Sequence, residues 1–169
     1  RNNERYHLAD EAIIDLFGKF KENKDIKEIL LKTSVINDLY STNIFATFKM
    51  AKHVLKLDID DALRKGDPKI VNKIAKINLQ GKTKNFYSFA TKYCNWHNQN
   101  KFPIYDGFVD KILKKYRNET KFFKFSNKDL KDYEKFLEIF KRFIEYFKLS
   151  KFTFKEVDKF LWIYGKETF

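Results

Sequence analysis

The chain has 169 residues and a formal net charge of +12 at pH 7, from 35 Lys and Arg against 23 Asp and Glu. Hydrophobic residues make up 43% of it, including nineteen Phe, nine Tyr and two Trp, so the chain can bury a core without disulfides or metal. Its single cysteine excludes an internal disulfide framework and a cysteine-ligated iron–sulfur cluster. No apolar run approaches the roughly 20 residues of a membrane helix, so we expect no membrane partner and a cytoplasmic location.

Helical periodicity marks the first third of the chain. Residues 6–20 and 25–33 each place apolar side chains on one face, which predicts two helices. Ser41-Thr42-Asn43 offers N-caps for a third helix. Asp58 can cap a short fourth helix that ends at Gly66, where a residue without a Cβ can adopt positive φ.

A further helix begins at Asp67-Pro68, because Pro at the first helical position gives up only an amide that would be unpaired anyway. Its predicted buried stripe comprises Ile70, Val71, Ile74 and Ile77. The stripe runs directly into a turn at Gly81, so residues 68–98 are interpreted as helix, tight turn, helix. No convincing strand is found.

The C-terminal third is predicted as two helices. Ser126 is placed to cap a long helix over about 127–148. Thr153 and Glu156 form the pattern of a capping box at the start of the last helix, and Gly165 lies near its end.

The predicted fold is therefore all-α, with seven to nine helices. We expect one domain over residues 1–169. A helix–hairpin–helix core is expected at about 68–116 and a C-terminal helical pair at about 127–165.

Positive charge is concentrated in residues 69–124. This stretch holds thirteen Lys or Arg against three acids, Asp106, Asp110 and Glu119, and the other 113 residues nearly balance. A clustered positive field attracts polyanions, so nucleic acid is the leading candidate partner. The alternative is a Lys-, Asn-, Ile- and Phe-rich composition imposed by a biased genome.

The turn at Gly81 has the layout of an element that grips a phosphate backbone. Amides at such a turn and the positive end of the following helix point at a phosphate, and Lys82 and Lys84 add charge. The alternative is a corner between two packed helices with no ligand.

Three consecutive segments carry a resemblance to a known family. They are Leu79-Gln80-Gly81-Lys82-Thr83, the helix predicted over 84–97, and Pro103-Ile104-Tyr105-Asp106. The chain resembles the helix–hairpin–helix DNA glycosylases of base-excision repair, in which a hairpin of the type Leu-Pro-Gly-Val-Gly leads into a helix. In that family a catalytic Asp follows in a Pro/Val-Asp context and opens the next helix.

The resemblance implies roles for particular residues. Asp106 would be the catalytic carboxylate, stabilising oxocarbenium-like charge and orienting the attacking water. Lys82, Lys84, Asn85 and Lys111 would contact the phosphates of double-stranded DNA. The position that is Lys in the bifunctional enzymes falls on Asn85, which implies a monofunctional N-glycosylase without a cofactor.

A flipped base would need aromatic faces, and the nearby candidates for stacking are Phe86, Tyr87, Trp96 and Tyr105. Each candidate has a structural alternative. An aromatic stripe at helical spacing usually belongs to a core, and Asp106 stands where a helix N-cap is expected.

Other kinds of site have weaker support in the sequence. Cys94 and His97 lie three residues apart on a predicted helix, but a structural zinc site normally has four ligands, so no metal is expected. The five glycines are isolated, which excludes a P-loop and a dinucleotide fingerprint. The alternative functions are a non-enzymatic nucleic-acid-binding module and a phage-defence or protein-interaction component.

Overall fold

The computed structural model describes residues 2–169, with side chains described from residue 8 onward. Within that span the chain forms nine α-helices, one short 3-10 helix at Asp129–Lys131 and one two-stranded sheet. In chain order these are α1 Asn2–Lys19, α2 Ile26–Leu39, α3 Thr47–Leu57, α4 Asp60–Lys65, α5 Lys69–Ala75, β1 Lys76–Leu79, β2 Lys82–Asn85, α6 Tyr87–His97, α7 Gly107–Thr120, α8 Tyr133–Tyr146 and α9 Phe154–Thr168. The predicted mostly helical fold is confirmed.

The segment around Gly81 differs from its prediction. Helix α5 ends at Ala75, and β1 and β2 then pair antiparallel with Leu79 opposite Lys82. Gln80 and Gly81 form the two-residue turn, both with positive φ, 54° and 78°. Such a turn matches the twist of a β-hairpin. The prediction that a helix continues to Gly81 is therefore wrong, as is the absence of strands.

Ile77 explains why the helical pattern misled. It lies three residues after Ile74, both side chains are buried, and this spacing fits a helix. The same Ile77 is the inward residue of β1, where exposed and buried positions alternate. Strand β2 is exposed at all four positions, so no apolar periodicity marks it in the sequence.

Helix ends follow the predicted caps in three places and depart from them in three. Gly66 ends α4 with φ 74°, and Thr153 with Glu156 forms the capping box of α9. Helix α8 is capped by Asp132 instead of Ser126, because Asp129 Oδ2 accepts hydrogen bonds from the Ser126 amide and hydroxyl. The third cap that was predicted correctly is Asp106 of α7. The second departure is α3, which begins at Thr47 after Ala46 instead of at Ser41-Thr42-Asn43. The third is Asp58, which was predicted to cap α4 but ends α3 with φ 47°, while Ile59 precedes α4.

Helix α6 lies at the centre of the core. Nine of its eleven residues are buried, and it packs against α5, α2 and α1. One cluster of buried hydrophobic side chains extends from Ile13 in α1 to Leu161 in α9. The polar residues of α6, among them Lys92, are therefore held in a closely packed environment. Over residues 2–169, none of the helices combines the length and the apolar character that crossing a membrane requires.

Candidate functional site

Asp106 is the N-cap of α7 and is half-buried. Its Oδ1 accepts hydrogen bonds from the backbone amides of Phe108 and Val109, both at 2.9 Å. Among the described residues, none donates a hydrogen bond to its other oxygen, Oδ2. The predicted cap is therefore confirmed, and the cap uses only one of the two carboxylate oxygens. The two amides also orient the carboxylate, so Oδ2 has a fixed direction.

Lys92 is a buried lysine of α6 whose charge interacts with Asp106. Its Nζ donates a hydrogen bond to Ser88 Oγ at 2.6 Å and lies 5.4 Å from the centre of the Tyr40 ring. Burial lowers the pKa of Lys92, and the carboxylates of Asp106 and Asp158 oppose that shift. The amine is thus held by Ser88 of α6 and by Tyr40, which follows α2, and it interacts electrostatically with the candidate carboxylate.

Asp158 is a buried carboxylate on α9. Its Oδ2 accepts a hydrogen bond from the Ile104 amide at 2.7 Å, whereas Oδ1 is buried and has no hydrogen-bond partner in the described part of the chain. Burial raises the pKa of Asp158 well above its usual range, and the negative charge of Asp106 adds to the effect. The bond to Ile104 ties α9 to the segment that presents Asp106, two residues further along.

Sequence reasoning missed both Lys92 and Asp158, although each left a signal. Lys92 interrupts a run of uncharged residues in the aromatic helix. Asp158 stands one residue after Val157 and three before Leu161, on the stripe that the last helix buries. A charge on an apolar stripe must be satisfied or neutralised when it is buried, so such positions are candidates for a site.

The neutralisation of Asp158 leads to a testable pH dependence. Because its pKa is higher in the folded state than in the unfolded state, folding binds a proton, and stability falls as pH rises from about 4 through the raised pKa. We expect Asp158→Asn to raise the free energy of unfolding by about 1–2 kcal/mol at pH 8, with little change at pH 4. Urea denaturation at both pH values measures this, with the exposed Asp38→Asn as the control. A variant less stable than wild type at pH 8 would contradict the assignment.

Three of the four aromatic candidates for base stacking are buried in the core. Tyr87 and Tyr105 lie 4.9 Å apart between ring centres, and the Tyr105 hydroxyl donates to Asp110 Oδ1 at 2.6 Å. Trp96 donates from Nε1 to the Tyr40 hydroxyl at 3.0 Å. Phe86, just before α6, is half-buried. The rings of Tyr87, Tyr105 and Trp96 are therefore part of the packed core and present no open face to a base.

The candidate phosphate contacts lie on the surface. Lys82, Lys84 and Asn85 are exposed on β2, and the two lysines share one face of the strand because side chains alternate. Lys111 is exposed on α7, with its Nζ 5.2 Å from the centre of the Phe169 ring. Lys92 of α6 and Asp158 of α9 interact electrostatically with Asp106, whereas the exposed Lys82, Lys84 and Lys111 make up a basic surface.

A cavity of about 720 Å³ opens between α1, α4 and α6, and His97 lines it. Beside it, buried Lys32 donates hydrogen bonds to the carbonyl oxygens of Phe20 and Glu22 and to Asn23 Oδ1, at 3.0, 2.8 and 2.8 Å. Burial lowers the pKa of Lys32 to about 8, and burial together with Lys32 lowers that of His97 to about 3. The amine of Lys32 thus finds three hydrogen-bond acceptors within the protein, and these bonds join α2 to the segment that follows α1.

Cys94 and His97, the pair considered for a metal, are both held in packed surroundings. Cys94 is fully buried and burial raises the pKa of its thiol, while the His97 ring packs 4.8 Å from the Phe17 ring. No group of three side chains suited to a metal occurs among the residues that the structure describes.

Comparison with known proteins finds two similarities. A family model described as an N-terminal domain matches residues 1–101, which include α1 to α6. An uncharacterized protein of Haemophilus influenzae is 43% identical over 145 residues, which cover 85% of this chain and 69% of that protein. No solved structure matches the chain.

Proposed function

The chain belongs to the HI_0787_N family, and we propose that it binds double-stranded DNA and hydrolyses the N-glycosidic bond of a flipped nucleotide with Asp106. One observation carries the proposal: the Asp106 carboxylate is fixed through Oδ1 by two amides, keeps Oδ2 available, and interacts electrostatically with the buried amine of Lys92. In the finer form of the proposal, α5, the β-hairpin and α6 together act as the helix–hairpin–helix element.

The chemistry requires a carboxylate close to C1′ of the nucleotide. As the base departs, positive charge develops on the sugar, and a carboxylate stabilises it or activates the attacking water. Lys92 supports this role because its positive charge interacts favourably with the Asp106 carboxylate. Burial raises the pKa of Asp158 well above its usual range, so Asp158 adds less competing negative charge than an exposed carboxylate would.

In this proposal the basic surface binds the phosphates of the DNA. Lys82 and Lys84 on β2 and Lys111 on α7 are exposed and can neutralise phosphates, and Asn85 can donate hydrogen bonds to them. Phosphate contacts position a duplex without reading its sequence. Discrimination among bases would then depend on which nucleotide leaves the stack most easily.

The proposal predicts how binding responds to damage and salt. We expect a labelled duplex with an abasic-site analogue to bind at least about tenfold more tightly than the same duplex undamaged, because no base pair has to open. We also expect affinity for both duplexes to fall with salt, with a slope corresponding to several phosphates. Fluorescence anisotropy at low and moderate salt measures both quantities.

The other outcomes distinguish the alternatives. Equal, salt-sensitive binding to both duplexes would favour a non-enzymatic nucleic-acid-binding module. That second candidate is supported by Asp132, which caps α8 in the same way as Asp106 caps α7 and has no proposed chemistry. Absence of binding to either duplex would overturn the proposal.

A further inference from the structure

Phe45 is almost completely exposed, at 97% of its surface. It lies in the loop between α2 and α3, and the next most exposed large hydrophobic side chain among the described residues is Leu8, at 60%. Leaving a phenyl ring in water forgoes the stabilisation that its burial would provide. A ring this exposed is therefore a candidate for contact with a partner.

The loop that carries Phe45 has an ordered construction. Asn37 Oδ1 accepts hydrogen bonds from the Ile44 amide and the Thr42 hydroxyl, both at 2.8 Å, and its Nδ2 donates to the Ile44 carbonyl at 3.1 Å. Ile44 itself is buried, and Asn43 adopts φ 58° to turn the chain. Because Ile44 is anchored by its backbone and its side chain, the next residue is directed outward by the fold.

Phe45 borders a basic groove. The groove has a volume of about 400 Å³ and separates the start of α3 from the β-hairpin. Lys49 lies on the α3 side, Lys82 and Lys84 line the hairpin side, and no acidic residue lines the groove. An exposed aromatic ring is thus surrounded by positive charge from two elements of the fold.

We propose that Phe45 stacks on an unpaired base of a DNA strand whose phosphates lie along Lys49, Lys82 and Lys84. Charge alone would suit any polyanion, but the free ring favours one that carries flat apolar faces between its phosphates. This inference rests on the proposed function, since it names the part of the DNA that the basic surface recognises.

The same loop reaches from this groove to the buried Lys92 of α6. It begins at Tyr40, whose ring covers Lys92, and Phe45 is five residues further along. Five residues span at most about 18 Å, so the Cα atoms of Tyr40 and Phe45 lie within that distance of each other.

The test compares Phe45→Ala with Phe160→Ala, which removes another exposed ring from α9, outside the groove. The probes are a labelled single-stranded oligo-dT and the abasic-analogue duplex, titrated by fluorescence anisotropy. We expect Phe45→Ala to weaken binding of the single strand about tenfold with an unchanged salt slope. Lys82→Gln should lower the salt slope by about one, and Phe160→Ala should leave both quantities unchanged.

Three other outcomes would overturn the inference, and they differ in what they mean for the proposed function. If wild type binds both probes and Phe45→Ala binds them equally well, Phe45 does not stack, and the proposed function stands. If wild type binds neither probe, the proposed function fails together with the inference. If poly-glutamate binds wild type more tightly than oligo-dT does and Phe45→Ala weakens that binding equally, the groove serves an acidic protein. Because Phe45 is exposed, thermal melting should confirm that its variant folds as wild type does.

Discussion

Asp106→Asn is expected to lower the rate of base release at least about 100-fold while leaving the fold intact. An amide cannot carry the negative charge that stabilises an oxocarbenium-like transition state or accept a proton from water. Asn caps helices nearly as well as Asp, so its oxygen can still accept hydrogen bonds from the Phe108 and Val109 amides. The single-turnover rate of base release, on a substrate that the wild type processes, measures the effect.

Asp132 provides a matched control for this substitution. It caps α8 through Oδ1, which accepts hydrogen bonds from the amides of Glu134 and Lys135 at 3.1 and 3.3 Å. Asp132→Asn makes the same chemical change at an equivalent cap and should leave base release unchanged. The free energy of unfolding should change by less than about 1 kcal/mol in both variants. If Asp106→Asn released bases as fast as wild type, Asp106 would be only a cap.

Local signals made much of the helical architecture predictable. The capping box of Thr153 with Glu156, the N-cap Asp106 and the C-cap Gly66 each depend on residues within one or two turns, and all three were predicted correctly. The hairpin was missed because Ile77 satisfies a helical and a strand pattern at once. The two-residue turn at Gln80 and Gly81, both with positive φ, favours a β-hairpin over a continuous helix. The helical interpretation did not take this turn into account.

The surroundings of Asp106 were beyond local patterns because they depend on long-range contacts. Asp158 meets the Ile104 amide across 54 residues, and Trp96 meets Tyr40 across 56. No periodicity within either segment specifies its partner. Lys92 was overlooked because a lysine in a helix is usually solvated, whereas nine of the eleven residues of α6 are buried. The cap at Asp106 could thus be predicted from the sequence, but identifying its neighbours required the fold.

Gly165→Ala is expected to destabilise the protein and to disturb the site from a distance. Gly165 faces α7, and a Cβ there would lie 2.6 Å from Phe108 Cβ and 3.1 Å from Ile112 Cδ1. The first atom is fixed to the backbone and cannot move aside, so α7 and α9 must separate. Overpacking of this kind costs about 1–3 kcal/mol, and we expect the upper end of that range in the free energy of unfolding measured with urea.

The same displacement should reach Asp106, because Phe108 donates its amide to Asp106 Oδ1. A shift of the catalytic group by about 1 Å can cost 100-fold in rate, so base release by folded Gly165→Ala should fall at least about tenfold. Gly18→Ala is the control, since no atom lies within 4 Å of a Cβ at that helical position. Replacing a helical Gly by Ala there should raise the free energy of unfolding by about 0.5–1 kcal/mol and leave the rate unchanged. If α7 positions Asp106, Gly165→Ala should lower the free energy of unfolding and slow base release. Gly18→Ala should raise the free energy of unfolding and leave base release unchanged.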